Sequence, residues 1–240
     1  MPTLCLDSGH NSFGVDTGAE GNGLREQDIT LAICRELRPL LQYNGFIVVM
    51  TRDGDLVNGL SNGYTLIQSL QTRIDIAENV KADLFLSVHI NAGGGTGQEV
   101  LISGAGGRAE QAANKVYAQI NSISGWPNRG VKVRNVMVLR ETTMPAILTE
   151  NGFIDEASDS TKLKDPRFIY RLAVAHAKGI CDYFGYDYRA LTVAPPVVDP
   201  VPIVVDKDIY LSVRCYQSKA DQAIVDINKL GFAAKRMDLA

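Results

Sequence analysis

Asp83-Leu84-Phe85-Leu86-Ser87-Val88-His89-Ile90-Asn91-Ala92 is the stretch on which the fold turns. Four apolar residues, Leu84, Phe85, Leu86 and Val88, fall within five positions. That density suits a buried strand and is too short for a helix. The run reaches His89, one of three histidines in the chain, and Gly93, Gly94 and Gly95 follow. Open α/β sheets build their sites where a core strand gives way to a loop. Taken alone, His89 could equally be a residue that merely closes a strand.

On either side of this strand the pattern alternates. Upstream, Thr3 to Leu6 reads as a first strand running into Asp7-Ser8-Gly9-His10 and a polar loop that lasts to Gly23. Glu26 opens a helix with Ile29, Ile33 and Leu37 on one face; Pro39 is expected to kink it and Gly45 to stop it. Phe46 to Met50 is a second strand, Gly54 to Gly63 an exposed excursion, and Leu66 to Asn79 a helix carrying Leu70, Ile74 and Ala77 inward. Downstream, Glu99 to Ser103 reads as a strand and Arg108 to Ile123 as a helix. Val136 to Leu139 and Ala146 to Thr149 read as two further strands, and Phe168 to Phe184 as a closing helix. The expected class is α/β: a mostly parallel, mixed central sheet of about six strands flanked by helices on both faces.

Residues 1–190 form the expected main domain. Pro195, Pro196, Pro200 and Pro202 among valines mark 191–205 as a semi-extended linker. Residues 206–240 read as a small βαβ-like module, with a strand at Ile209 to Val213, a helix at Ala220 to Leu230 and a strand at Phe232 to Met237. A piece this short falls below the ~40 residues that usually support a core of their own, so it is expected to pair with a second copy or another surface.

Composition narrows the function. The chain has 240 residues, 45% hydrophobic and 21% charged, with a net charge of −3, which gives no electrostatic reason to bind nucleic acid. No stretch approaches the ~18 consecutive apolar residues of a membrane span. No signal peptide is visible at Met1-Pro2-Thr3-Leu4, so synthesis in the cytoplasm is expected. Cys5, Cys34, Cys181 and Cys215 are far apart and form no metal-ligand pair; Cys5 and Cys34 sit in apolar patterns and read as buried thiols.

The polar residues then fall on one rim. His10 follows the first strand, His89 ends the third, Glu150 ends the last, and Glu26 opens the first helix. In an open α/β sheet the carboxyl ends of the strands lie on one edge, so these four can converge. Two imidazoles and a carboxylate are the ligand set of a hydrolytic zinc site, and a further carboxylate nearby is a general base. Singly, each has a plainer reading: Glu26 as a first-turn acid, His10 as a loop histidine, Asn151-Gly152 after Glu150 as turn chemistry. His176, inside the closing helix, reads as a packing or surface residue.

Four motifs in order carry a resemblance: Leu6-Asp7-Ser8-Gly9-His10; Gly18-Ala19-Glu20-Gly21 with Glu26; the opening stretch through His89; and Pro145-Ala146-Ile147-Leu148-Thr149-Glu150-Asn151-Gly152-Phe153. Together they resemble the zinc-dependent N-acetylmuramoyl-L-alanine amidases, specifically the type-3 amidase domain of bacterial autolysins and phage endolysins. The resemblance covers about residues 2–186 and includes Thr51-Arg52-Asp53 and Arg73. The family usually has Pro where Ser8 stands and Gly-Gly where Asn11-Ser12 stand.

The resemblance implies that one Zn2+ is held by His10, Glu26 and His89, with Glu150 as the catalytic carboxylate. It implies bacterial peptidoglycan as the partner and cleavage between the lactyl group of N-acetylmuramic acid and L-alanine of the stem peptide. A raised pKa for Glu150 is expected beside apolar Phe153 and Ile147. Asn91 and Arg140 are expected to orient a ligand or line the substrate groove. The C-terminal piece resembles half of a SPOR-type peptidoglycan-binding module, which implies wall binding and pairing into a homodimer. Wall chemistry without a leader fits a phage or prophage endolysin, or a spore-former's lysis enzyme, acting after release. Two rival functions are a zinc peptidase cutting within the stem peptide and a non-catalytic wall-binding protein on the same fold.

Overall fold

The computed structural model describes residues 1–191, 201–205, 209–213 and 234–235. It divides into two units, Met1–Ala190 and Leu191–Ala240. The first unit begins with β1 (Thr3–Ser8), the two-residue strands β2 (Glu20–Gly21) and β3 (Leu24–Arg25), α1 (Glu26–Tyr43), β4 (Ile47–Met50) and α2 (Leu66–Asn79). Next come β5 (Leu84–Asn91), β6 (Gln98–Ile102), α3 (Gly107–Ser124), β7 (Asn128–Val133) and α4 (Met137–Arg140). It closes with β8 (Ala146–Phe153), α5 (Ala157–Leu163) and α6 (Pro166–Phe184).

Six strands form one sheet in the order β4-β1-β5-β8-β6-β7. β4, β1, β5 and β8 run parallel; β6 is antiparallel to β8, and β7 follows β6 in parallel. The sheet is therefore mixed and mostly parallel. β5 lies near its middle, buried almost throughout, which is why its sequence reads as an unbroken apolar run. Its side chains alternate between faces. Phe85 joins Cys5, Ile74, Ala77, Leu101, Val138 and Leu148 in a core under α2 and α4. α1, α3 and α6 pack on one another and cover the opposite face. His89 and Asn91 share the face of Phe85, two and three steps further along, so they emerge at the rim where that core ends.

One sequence expectation changes and one strand was not foreseen. Val136 to Leu139 is not a strand. The segment around it is the short helix α4, which turns Val138 and Leu139 into the core; a four-residue apolar run serves a helix as well as a strand. The edge strand is β7, whose Asn-Arg-Gly-Val-Lys-Val carries too little apolar character to announce itself. α1 runs through Pro39 to Tyr43, with Leu37, Leu40 and Leu41 buried on both sides of the proline, and stops just before Gly45 as expected. Cys5 and Cys34 are buried free thiols, as read.

In the second unit β9 (Val201–Val205) pairs antiparallel with β10 (Ile209–Val213) and β11 (Ala234–Lys235), in the order β10-β9-β11. Val201–Val205, read as the end of the linker, is thus the central strand of a small sheet; its β-branched residues favour the extended backbone that Pro202 also tolerates. The helix expected at 220–230 lies outside the described residues.

Candidate metal centre

The segment from β1 to His10 is held from below by two buried arginines. Arg73 donates to Asp7 Oδ1 at 2.6 Å, to the Ser8 carbonyl at 2.9 Å and to Asp16 Oδ2 at 3.2 Å. Arg52 donates to the carbonyls of Ser8, Gly9 and Gln27. Their charges are answered by Asp7, which also accepts from Thr51 and Ser87 and is held below the usual carboxylate range by Arg73 and these hydroxyls despite its burial. So anchored, His10 adopts a left-handed backbone, φ 62°, which is uncommon for a non-glycine residue.

Three side chains then meet. Glu26, the first residue of α1, points one oxygen at each histidine: Oε2 lies 3.3 Å from His10 Nε2 and Oε1 lies 3.0 Å from His89 Nδ1. The backbone amides of Ala19 and Ile90 donate to the same carboxylate at 3.0 Å each, and fix it. The imidazole centroids are 4.8 Å apart. One nitrogen or oxygen from each of His10, Glu26 and His89 lies within 4.8 Å of the others, the grouping of a three-ligand metal site.

Electrostatics favour a cation here. Burial alone would raise the pKa of Glu26, but hydrogen bonds and attraction from His10 and His89 hold it far below the carboxylate range. Burial likewise opposes a charge on His10, yet Asp16 and Glu26 push its pKa up to about 9. The negative charge of Asp16 and Glu26 that favours a proton on His10 would equally favour a metal cation at its Nε2, beside Glu26. The cradle is also closed to larger residues: a Cβ on Gly9 would lie 2.5 Å from the His89 ring.

Glu150 stands beside this cluster. It is the direct partner of His89 in the β5–β8 register. It does not end β8 as read; the strand continues to Phe153 through a bulge, in which His89 pairs with Glu150 but Asn91 pairs with Phe153. Burial, reinforced by the charges of Glu26 and Glu99, raises its pKa to about 7 against the pull of His89 and His10. Its Oε2 is buried with no hydrogen-bond partner among the described residues.

The family model for N-acetylmuramoyl-L-alanine amidases matches residues 4–182. The chain belongs to that family. The sporulation-specific N-acetylmuramoyl-L-alanine amidase of Bacillus subtilis is 40% identical over 188 residues, 77% of this chain and 69% of that one. The endolysin of Bacillus phage SPP1 is 36% identical over 203 residues, 81% and 70% of the two chains. The catalytic domain of the amidase CwlV from Bacillus (Paenibacillus) polymyxa superposes with a TM-score of 0.69 at 31% identity, covering 78% of this chain and all of that one. No helix among the described residues is long and apolar enough to cross a membrane.

Of the six residues singled out from the sequence, the amidase fold brings His10, Glu26, His89 and Glu150 together. Asn91 lies on the same face but spends its side chain on the Ala92 amide at 2.8 Å and on Glu99 at 3.4 Å. Arg140 ends α4, exposed, and pairs with Glu141 and Asn135 rather than with the cluster. Three residues of the site escaped the sequence reading. Asp16 accepts from His10 Nδ1, Asn151 donates to the His89 carbonyl at 3.0 Å, and Glu99 sits opposite Glu150 in the β6–β8 register. Asp16 stood in plain sight in the polar loop between His10 and Glu26, and Asn151 directly after Glu150. The glycine run after β5 is held in place: Gly93 and Gly94 donate to Asp155, and Gly97 to Asp159.

Proposed function

We propose that His10, Glu26 and His89 hold a zinc ion and that Glu150 moves the proton in hydrolysis of the amide between the lactyl group of N-acetylmuramic acid and L-alanine of the peptidoglycan stem peptide. The observation that carries this is the three-donor cluster of His10, Glu26 and His89 beside the buried carboxyl of Glu150, which pairs with His89 in the β5–β8 register. Bound there, zinc supplies Lewis acidity, polarising the scissile carbonyl and making a water acidic. The rest is the protein's. Hydrolysis requires that a water lose a proton and that the departing alanine nitrogen gain one. Glu150 Oε2, buried and free of partners, is the atom placed to take the first and return the second. Burial favours the protonated form of Glu150, which suits a group that must return a proton. Glu26 stays ionised throughout, fixed by two backbone amides.

Glu150→Gln keeps the shape of the side chain and removes the base. It is expected to retain one zinc per chain and an unchanged fold while wall lysis falls by roughly 10²–10⁴-fold. A rate near that of the unaltered protein sinks the assignment. Mass spectrometry of digested wall separates the rivals. The amidase releases intact stem peptides with free L-alanine amines and leaves glycan strands whole, whereas a stem peptidase yields cut peptides and a binding protein yields nothing.

We further propose that residues 206–240 bind wall, alone or after pairing with a second copy. The small sheet β10-β9-β11 supports this reading by giving the segment, together with Val201–Val205 just before it, a strand surface of its own. Analytical ultracentrifugation and wall sedimentation of chains ending at Arg189 and at Ala240 test it. Equal monomeric masses remove the pairing, and equal wall binding removes the module's role.

A further inference from the structure

The row that crosses the sheet at the rim does not stop at Glu150. β6 and β7 run opposite to β8, so their first residues lie where β5 and β8 end. Glu99 is the direct neighbour of Glu150 across β8 and β6, with Cβ atoms roughly 5 Å apart. Beyond it lies β7, the sheet's edge strand, and there the register slips: Gln98 pairs with Asn128 but Val100 with Val131. Arg129 and Lys132, three positions apart, belong to opposite faces of an unbroken strand. The extra residue, beside Gly130 at φ 82°, turns both to one face.

Both cations converge on one oxygen. Arg129 Nε lies 2.7 Å from Glu99 Oε2, and Lys132 Nζ reaches the same atom. Glu99 is the only carboxylate either meets among the described residues, so the cluster of two cations and one anion keeps one positive charge in excess. Arg129 and Lys132 remain about a third exposed, at 34% and 28%, while Glu99 is 8% exposed. The ring of Phe153 lies 4.9 Å under the Arg129 guanidinium and holds its plane.

The direction of the reaction gives this cluster an occupant. In the proposed hydrolysis the scissile carbonyl sits at His10, Glu26 and His89, and Glu150 returns a proton to the departing nitrogen. The nitrogen therefore lies on the Glu150 side, and the leaving peptide continues along the row, away from β5 and over β6 and β7. In a stem peptide whose second residue is a γ-linked D-glutamate, a free carboxylate follows one residue after that nitrogen. We propose that Arg129 and Lys132, gathered on Glu99, form a subsite that binds the free carboxylate of the second stem-peptide residue and so selects unamidated stem peptides. The subsite rests on the amidase reading.

The test compares two synthetic muramoyl peptides that differ only at the second residue, D-glutamate or its α-amide. The full-length, zinc-loaded chain is assayed for release of the L-alanine amine, and the ratio of the two kcat/KM values is read. The ratio cancels any effect on Glu150 that both substrates share. If the cations only neutralised Glu99, their loss would slow both alike. The unaltered protein is expected to favour the acid by at least roughly tenfold, mainly through KM, as for a charge-assisted hydrogen bond. Arg129→Gln and Lys132→Gln each shrink the ratio, the double variant brings it to about one, and Lys132→Arg keeps it. Equal rates on both substrates with the unaltered protein, or a preference that survives the double substitution, overturn the subsite. Release of no L-alanine amine from either substrate is a different result: it overturns the amidase reading and the subsite with it.

Discussion

Asp16 turns its two oxygens to two different tasks. Oδ1 lies 3.2 Å from His10 Nδ1, while Oδ2 accepts from Ser69 at 2.6 Å and from Arg73 at 3.2 Å. Burial works against its charge, but His10, Arg73 and Ser69 hold its pKa down at about 2. An ionised carboxylate on the outer nitrogen of a ligating imidazole fixes ring and tautomer, and removing such a partner weakens metal affinity 10–100-fold in general. Asp16→Asn keeps the shape and loses the charge. Zinc affinity measured by chelator competition is expected to fall by roughly that 10–100-fold. Stability should fall by about 2 kcal/mol, because Arg73 then faces one fewer anion. Unchanged zinc affinity would show that Asp16 serves the arginine alone. Exposed pairs such as Arg35–Asp53 carry no comparable consequence, because solvent screens them.

At the scale of elements, the position of Glu150 depends on the bulge in β8. Gly152 occupies it at φ 80°, and a Cβ there would come within 2.7 Å of the Trp126 ring. Gly152→Ala therefore forces either the strand or the indole to move. Thermal unfolding is expected to show a loss of about 1–3 kcal/mol, with a lower kcat as Glu150 is re-aimed. An unchanged melt and rate would mean that the strand accepts a regular register. The same bulge limited what the sequence disclosed. β8 was legible to Thr149 and then lost, because its apolar run gives way to Glu150-Asn151-Gly152, where the extra residue sits. α2 was legible end to end, since Thr65 and Gln68 form a capping box in front of a clean apolar stripe. His10, Glu26, His89 and Glu150 could be placed because each lies at or near the end of a readable element. Asp16, Asn151 and Glu99 could not, because their partners arrive only through folding. Asp16 meets residues more than fifty positions away, and Glu99 reaches the rim only because β6 runs antiparallel, a reversal that no local pattern records.

At the scale of the molecule, one hydrogen-bonded chain links the helical layer to the His10–Glu26–His89 cluster. His176 of α6 is fully buried; its Nδ1 donates to the Leu172 carbonyl at 2.7 Å, so its Nε2 accepts from Thr149 Oγ1 at 3.1 Å. Asn151 Nδ2 donates in turn to Thr149 Oγ1 and to the His89 carbonyl. A proton on His176 Nε2 would displace the hydroxyl hydrogen and charge a dry core, and burial lowers the pKa from 6.5 to about 4. The unfolded chain therefore takes up this proton before the folded one does. The contribution to stability is complete above about pH 6.5 and is lost as pH falls toward 4, by up to about 3 kcal/mol. Glu150, with its pKa raised from 4.5 to about 7, titrates over much of the same window with the opposite sign, since the folded state binds its proton first. The total slope of the unaltered protein is thus partly cancelled, and a single pH–stability curve would hide both groups. The difference between the unaltered protein and His176→Gln does not, because Glu150 is common to both. Denaturant unfolding at pH 7 and at pH 4.5 should show the advantage of His176 over Gln shrinking by roughly 2–3 kcal/mol as pH falls. A difference that stays constant across that window would mean that His176 takes up a proton as readily in the fold as in the unfolded chain and that the chain from α6 to His89 is wired otherwise.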